Sequence, residues 1–406
     1  MSPGETTQAQ ASNTSLQGSA AMITSYASPH RASQSESLFP TDLASIIQRV
    51  DEIDPIGYGR SRNFTDGAVT RLSPYISRGV ISTRFVLDRT LARGFEPYQI
   101  EKFIKELAWR DYYQRVWQAK GDAINSDLRH PQANVANHRM PGSVIAAETG
   151  IDAADAAIRS LYSTGYMHNH IRMYTASITC NIGRSHWLTP ARWMYYHLLD
   201  GDWASNAISW QWVAGAASTK KYFADQANVD RHCYTSQSET FLDVAYDEFG
   251  SLPVPAVLQQ TITPTLTTVL PERVDVTLDP LLPTLIYNSY NLDPKWKTET
   301  GYNRVLLLEP SHFAAYPIAA NVLEFILALG RYISGLQIFV GEFSELKEIL
   351  GGGEIYYKEH PLNRHYTGTE ESRDWMFSAT GYYPSFFGFW KKCEIELKGS
   401  QLSLDL

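Results

Sequence analysis

The stretch from Gly165 to Trp212 constrains this chain most, because it combines helical periodicity with polar side chains where a core helix would be apolar. It contains the runs MHNHIRM, DGDWASN and WQWVAG. On a helix, Asn169, Arg172 and Met173 share one face. Charged and amide side chains are rarely buried without partners. We therefore interpret these helices as the wall of a ligand site.

The next helix of this stretch repeats the pattern, with Asp202, Asn206 and Trp210 on one face. The alternative for both helices is an ordinary core that holds a few satisfied polar groups. A high local density of tryptophan accompanies these polar faces and favours the ligand-site interpretation. The residues concerned are Trp109, Trp117, Trp187, Trp193, Trp203, Trp210 and Trp212.

An upstream helix, EKFIKELAWRDYYQRVW, carries a charged pair among aromatic residues. Glu106, Trp109, Arg110, Tyr113 and Trp117 follow one another at helical spacing on one face. This composition suits the floor of a cavity. A surface salt bridge beside packed aromatics is the alternative interpretation.

Taken in order and spacing, the three runs resemble the FAD-binding domain of the DNA photolyase and cryptochrome family. The resemblance begins near Phe39 and implies a mainly α protein whose helical domain binds FAD. Nothing like the family's amino-terminal α/β antenna domain precedes Phe39, so we expect a short form that lacks this domain and its pigment. A polar stretch rich in Ser, Thr and Gln precedes it instead.

The resemblance also implies which side chains hold the cofactor. The run YGRSRNFTDGAVTRLSPY would grip the pyrophosphate, although Val69 stands where the family often has Thr. An ion pair and further polar groups would lie beside the flavin ring, with an amide next to N5 that tolerates the reduced anionic flavin. The FAD-binding residues expected in this way are Tyr58, Arg62, Thr70, Ser73, Arg110, Arg172, Asp200, Asp202 and Asn206.

By the same resemblance, the expected activity is that of a cyclobutane pyrimidine dimer photolyase, in which excited reduced FAD lends the lesion an electron. Enzymes that repair six-four photoproducts have His where this chain has Asn169 and Met173, and neither of these can titrate. The catalytic residues expected are therefore Asn206, Glu106, Asn169 and Met173. Plant and insect cryptochromes place an acid or a Cys at the position of Asn206. The alternative function is a cryptochrome-like blue-light photoreceptor without repair activity.

Ultraviolet-damaged DNA is the partner that the resemblance implies. The expected DNA contacts are Trp109, Trp212, His170, Lys220 and Lys221, with the two tryptophans stacking on the flipped dimer. His170 replaces a family Arg, and the formal net charge is −8, which makes duplex opening harder. We therefore expect a preference for single-stranded DNA.

Photoreduction of the flavin in this family uses a chain of tryptophans. The resemblance assigns Trp210 as the donor nearest the ring and Trp187 as the next. No Trp lies between Trp117 and Trp187, where the family has its third. Trp193, Trp203 and Tyr195 are the candidates for the exit from the chain.

The remaining sequence divides into segments of different character. Residues 1–37 are expected to be a disordered tail, 38–250 the FAD-binding domain, 251–300 a linker rich in Pro and Thr, and 301–406 a small parallel α/β module of unknown role. In this module RVLLLEP, LQIFVGE and EIYYKEH are predicted to be strands with helices between them.

The cysteines and the hydropathy of the chain indicate its compartment. Cys180, Cys233 and Cys393 are widely spaced without a CxxC motif, so neither a disulfide framework nor a metal site is expected. No apolar run approaches the ~18 residues of a membrane span. We expect a soluble, cytoplasmic chain, and the sequence does not fix its oligomeric state.

Overall fold

A computed structural model of the chain describes residues 38–402. The predicted disordered tail, 1–37, lies outside these residues. The helices of the first domain are α1 (Leu43–Asp51), α2 (Pro55–Ser61), α3 (Ser73–Ser77), α4 (Thr83–Leu91), α5 (Glu101–Lys120), α6 (Gly142–Ala146), α7 (Asp152–Thr164), α8 (Asn169–Ala176), α9 (Leu188–His197), α10 (Trp203–Ala214) and α11 (Gln226–Cys233). A short helix, α12 (Ala256–Gln259), follows them.

Local chemistry explains where several of these helices begin and end. The Asp42 and Asp54 carboxylates accept hydrogen bonds from backbone N–H groups in the first turns of α1 and α2, each at 2.8 Å. Asp202 caps α10 in the same way, with Ser205 as the donor at 2.9 Å. At the other end of α10, Gly215 takes a left-handed conformation with φ +82°, which glycine adopts without strain.

A parallel sheet forms the carboxy-terminal module, as predicted. Its strands are β3 (Thr284–Tyr287), β4 (Asn303–Leu308), β5 (Leu336–Val340), β6 (Ile355–Lys358) and β7 (Thr369–Glu371), in the order β5-β4-β3-β6-β7. Its helices are α13 (Pro310–Ala315), α14 (Ala320–Gly330), α15 (Phe343–Leu350) and α16 (Phe386–Leu402). A separate antiparallel pair joins β1 (Met140–Pro141) to β2 (Thr261–Ile262).

The sheet begins earlier in the chain than expected. Its central strand, β3, lies inside 251–300, the segment interpreted as a linker, and β7 was not foreseen either. The four residues of β3 are all buried, but they follow Pro280 and Pro283 closely, and such prolines usually signal a loop. Pairing on both sides with β4 and β6 makes this short run a strand.

The sheet packs directly against the helical domain. Fully buried Arg78 donates from Nε to the Leu199 carbonyl at 3.0 Å and from Nη1 to the Ser289 carbonyl at 3.4 Å. One apolar core continues through both parts. Between residues 38 and 402, no helix is both long and apolar enough to cross a bilayer.

Candidate FAD site

The first feature of the site is a buried ion pair between α8 and the turn before α10. Arg172 Nη2 lies 3.0 Å from Asp200 Oδ2, and its Nε donates to the Met167 carbonyl at 2.8 Å. Burial alone would raise the pKa of Asp200, but Arg172, and after it Ser73 and Arg110, hold that pKa below its usual value. The carboxylate is therefore ionised and fixed in place.

A second charged group lies between α5 and α10. Arg110 Nη1 is 3.5 Å from Asp202 Oδ2 and donates to the Ser77 hydroxyl at 2.6 Å. Asp202 Oδ2 also accepts from Gln114 Nε2 at 2.7 Å, while Oδ1 caps α10. The structure thus brings Arg110, Arg172, Asp200 and Asp202 together, as the sequence predicts for the cofactor site.

Two members of this network were not predicted from the sequence. Gln114 links Asp202 to Arg373, whose Nη1 donates to Gln114 Oε1 at 2.8 Å. Gln114 lies one helical turn after Arg110 on α5, so its spacing could have revealed it. Arg373 comes from the carboxy-terminal module, and no local pattern connects it with α5.

Tyr58 and Arg62, which are expected at the phosphates, lie near Arg110 of the same network. Arg62 Nη2 is 3.3 Å from Glu106 Oε1. Burial raises the pKa of Glu106, and Arg62 opposes this shift. Tyr58 lies beside them, and its pKa is raised by burial and then by the Glu106 carboxylate. These three side chains form a cluster on α2 and α5.

The turn expected to face the pyrophosphate is short. The Thr70 hydroxyl accepts from Leu72 N–H at 3.3 Å, and Ser73 begins α3, a helix of one turn. The Ser73 hydroxyl lies close enough to Asp200 to help lower the pKa of that carboxyl. This turn therefore lies beside the ion pair of Arg172 and Asp200.

Two histidines test whether the site suits an anionic cofactor. His168 Nδ1 accepts from the His170 N–H at 3.2 Å, and burial, then Arg172 and Arg71, lower the pKa of His168 to about 4. The neutral ring therefore carries its proton on Nε2, which is buried without a complete hydrogen bond. The Arg62 main chain only weakly opposes the pKa shift.

His170 presents the same situation. Its pKa is lowered to about 4 by burial and then by His232 and His168, and its Nε2 is also buried without a partner among the described residues. Buried polar groups are normally satisfied. Buried ring nitrogens without a partner, close to Arg62 and Arg172, are polar positions that FAD could satisfy.

The amide expected beside the flavin is oriented by its neighbours. Asn206 is buried, and its Nδ2 donates to the Ala191 carbonyl on α9 at 2.8 Å. On α8, Asn169 is exposed and Met173 is half-buried. These positions place Asn206 inside the domain, and Asn169 and Met173 nearer its surface.

The tryptophans expected to carry electrons are buried. Trp210 is 2% exposed and Trp187 fully buried, and Trp187 Nε1 donates to Asp127 Oδ1 at 2.7 Å. A π-helix, Ser177–Ile182, follows α8 directly before this region, and such insertions are frequent at functional sites. Trp203, an exit candidate, contacts Tyr195 with ring centroids 5.6 Å apart.

The expected DNA contacts differ in accessibility. Trp212 is 43% exposed and Lys220 is exposed. Lys221 is half-buried and its Nζ donates to the Ala133 carbonyl at 2.7 Å. Trp109 is half-buried because Phe386 stacks on it. Trp212 and Lys220 are thus open to a ligand from solvent, whereas Phe386 occupies one face of the half-buried Trp109.

Comparison with known proteins agrees with this geometry. Residues 103–242 match the family model of the FAD binding domain of DNA photolyase. The deoxyribodipyrimidine photo-lyase of Alkalihalophilus pseudofirmus is 33% identical over 208 residues, which are 48% of this chain and 42% of that protein. The chain therefore spans less than half the length of this relative.

Two solved structures resemble part of the chain. The Synechocystis cryptochrome is 24% identical, with a TM-score of 0.41 over 47% of this chain and 42% of that one. A class III photolyase from Agrobacterium tumefaciens is 26% identical, with a TM-score of 0.40 over 50% and 47%. The matched segment 103–242 contains Arg110, Arg172, Asp200, Asp202 and Asn206. Residues 103–242 thus match the FAD binding domain of DNA photolyase, and FAD is the cofactor that this match indicates.

Proposed function

We propose that this protein is a light-driven DNA repair enzyme that splits cyclobutane pyrimidine dimers. The observation that carries the proposal is Asn206, an uncharged amide held by the Ala191 carbonyl at 2.8 Å inside the matched domain. A carboxylate at this position would repel a reduced, anionic flavin, whereas an amide does not. A relative that is named deoxyribodipyrimidine photo-lyase supports the same function.

When bound, reduced FAD supplies an electron to the dimer under light and takes it back. Arg172 with Asp200, and Arg110 with Asp202, form buried pairs of opposite charge. Each pair keeps its groups fixed without adding net charge beside the flavin, which is the form of preorganisation that favours a defined ligand pose.

Glu106 is the side chain best suited to hold the base. Its carboxyl group lies 3.3 Å from Arg62, which helps to orient it. A carboxyl group can hydrogen-bond to the polar edge of a pyrimidine. Asn169 and Met173 add contacts that do not titrate, in keeping with a reaction that needs no general acid.

DNA would approach from the side of Trp212, which is 43% exposed, and of Lys220. Base stacking on an exposed tryptophan is worth roughly 1–3 kcal/mol. His170 has a pKa of about 4 and adds no positive charge at neutral pH. The Lys221 ammonium group is already hydrogen-bonded to the Ala133 carbonyl. These two residues therefore add little attraction for a duplex backbone, so single-stranded DNA is the favoured substrate.

A reducing compartment agrees with this activity. Cys180, Cys233 and Cys393 are free thiols. Free thiols are typical of cytoplasmic proteins, and we propose that the protein acts on cytoplasmic DNA.

Dark binding of single-stranded oligothymidylate, with and without dimers, tests the substrate. The FAD-loaded wild type should bind the dimer-containing strand at least tenfold more tightly, by fluorescence anisotropy. Trp212→Ala should remove most of this preference. Tyr332→Ala, an exposed aromatic outside the helical domain, should not change it. Equal affinity of the wild type for both strands would exclude lesion recognition.

A blue-light photoreceptor without repair activity is the second candidate. The stacking of Phe386 on Trp109 favours it, since a covered tryptophan cannot stack on a base. In that case illumination would change the protease sensitivity or the oligomeric state of the protein and would not restore any thymine from dimers.

A further inference from the structure

The ring of Phe386 lies flat on the ring of Trp109. Their centroids are 3.8 Å apart and their planes differ by 10°. Tyr113 flanks the same tryptophan at 5.2 Å and 40°, and Tyr112 meets it nearly edge-on at 5.7 Å and 78°. Phe386 therefore takes the stacked position on Trp109, which is also the geometry that a nucleobase needs.

Neighbouring contacts fasten the segment before Phe386 to the helical domain. The Tyr112 hydroxyl donates to the Tyr383 carbonyl at 3.2 Å, and Arg129 donates to the Pro384 carbonyl. These bonds end on main-chain atoms, so they position the backbone whatever the side chains are. These hydrogen bonds hold the backbone in the position that places the Phe386 ring on Trp109.

The rest of α16 has anchors of its own. Phe389, Trp390, Cys393 and Leu397 are all buried, at spacings that put them on one face of the helix, and Phe386 also stacks on Trp390 at 6.3 Å and 18°. These later residues keep the helix docked when the Phe386 ring leaves Trp109.

Two glycines bound the segment that carries Phe386. Gly381 has φ +83°, and a Cβ added there would meet no described atom within 4 Å. A Cβ added at Gly388 would lie 3.4 Å from the Ser385 hydroxyl, an ordinary contact distance. Glycine permits backbone rotations that other residues resist. Gly381 therefore permits rotation at the start of this segment, whereas the hydrogen bonds at Tyr383 and Pro384 oppose it.

We propose that Phe386 is an internal occupant of the base-binding face of Trp109, and that DNA gains this face only when the first turn of α16 swings away. The inference rests on the proposed function and on the expectation from the sequence that Trp109 also stacks on the flipped dimer. Trp212 is 43% exposed and needs no such displacement. In the full chain, Phe386 therefore competes with DNA at Trp109, one of the two stacking positions.

The test compares variants of the full, FAD-loaded chain in dark binding to dimer-containing single strands. Phe386→Ala should bind about tenfold more tightly than wild type, since it removes the competitor for one stacking position. Combining it with Trp109→Ala should abolish the gain, because the freed face is then absent.

Matched controls separate this effect from loosening of the helix. Phe389→Ala removes a ring that is equally buried and contacts Tyr112 at 5.8 Å, so it should loosen α16 without raising the affinity. Phe387→Ala removes a neighbouring ring that is 65% exposed and should also bind like wild type.

The outcomes distinguish this inference from the proposed function. The occupant role of Phe386 is wrong if wild type and Phe386→Ala bind dimer DNA with the same measurable affinity. It is also wrong if Phe389→Ala gains as much affinity as Phe386→Ala. Neither result contradicts the proposed repair function. If no FAD-loaded variant prefers dimer DNA, the proposed function fails and the inference fails with it.

Discussion

Arg373 Nη1 donates a hydrogen bond to Gln114 Oε1 over 2.8 Å and thereby connects the carboxy-terminal module to the floor of the FAD site. Gln114 passes this contact on to Asp202 at 2.7 Å. The sheet module is consequently a supporting part of the cofactor site and not a separate appendage.

Loss of this connection should destabilise the whole protein. Arg373 is half-buried, and Asp202, Asp111 and Glu359 oppose the lowering of its pKa by burial. Arg373→Met removes the charged hydrogen bond to Gln114, so we expect the free energy of unfolding to fall by about 1.5–3 kcal/mol. Urea unfolding of the FAD-free protein measures it. Arg331→Met, at an exposed arginine, is the control, and an equal effect of both would contradict a role for this hydrogen bond.

Retention of the cofactor should depend on both Arg62 and Asp202. The double variant Arg62→Ala/Asp202→Ala removes the arginine expected at the phosphates, which pairs with Glu106 in the structure, and the capping carboxylate of α10. Each such charged hydrogen bond contributes roughly 1.5–3 kcal/mol, so FAD affinity should fall at least a hundredfold, measured by the recovery of free flavin fluorescence. Arg60→Ala, at an exposed neighbour on α2, should retain FAD. Full retention by the double variant would remove these residues from the site.

The sequence alone predicted the charged pair of the expected site, but it did not predict the residues that hold this site in place. Arg172 and Asp200 could be paired because they belong to local runs with a family resemblance. Arg373 could not be found, since its partner Gln114 is 259 residues away. The cover on Trp109 was missed for the same reason. The strand β3 was missed because four buried residues next to prolines carry too little periodic signal.

Acid should weaken the fold through His168. Its pKa is about 4 in the folded protein, against about 6.5 in an unfolded chain. The unfolded state therefore binds more protons between these values, and stability falls as the pH drops from about 6.5 to 4, by up to roughly 1.4 kcal/mol per pH unit. His168→Asn keeps an acceptor at the start of α8 and should make this slope shallower.

Urea unfolding of the FAD-free protein at several pH values gives the slope. His130→Asn, at an exposed histidine, should leave it as in wild type. A His168→Asn slope as steep as that of wild type would show that His168 is already protonated in the folded protein.

Photoreduction should require Trp210. Trp210→Phe should abolish light-driven reduction of oxidised FAD, because phenylalanine is much harder to oxidise, while repair by chemically reduced protein should continue. Transient absorption follows the first process and dimer splitting the second. Trp375→Phe, a tryptophan of the carboxy-terminal module, should affect neither. Photoreduction at the wild-type rate would exclude Trp210 from the path, and loss of repair in the reduced variant would give it a structural role.

Light-dependent repair is the most direct test of the central claim. Purified protein loaded with reduced FAD is mixed without oxygen with oligothymidylate that contains cyclobutane dimers, and thymine absorbance is followed in the dark and under blue light. The account predicts recovery of absorbance only under light, with many dimers split per protein molecule, and slower recovery with Asn206→Asp. No recovery under light, with FAD bound and reduced throughout, would contradict it.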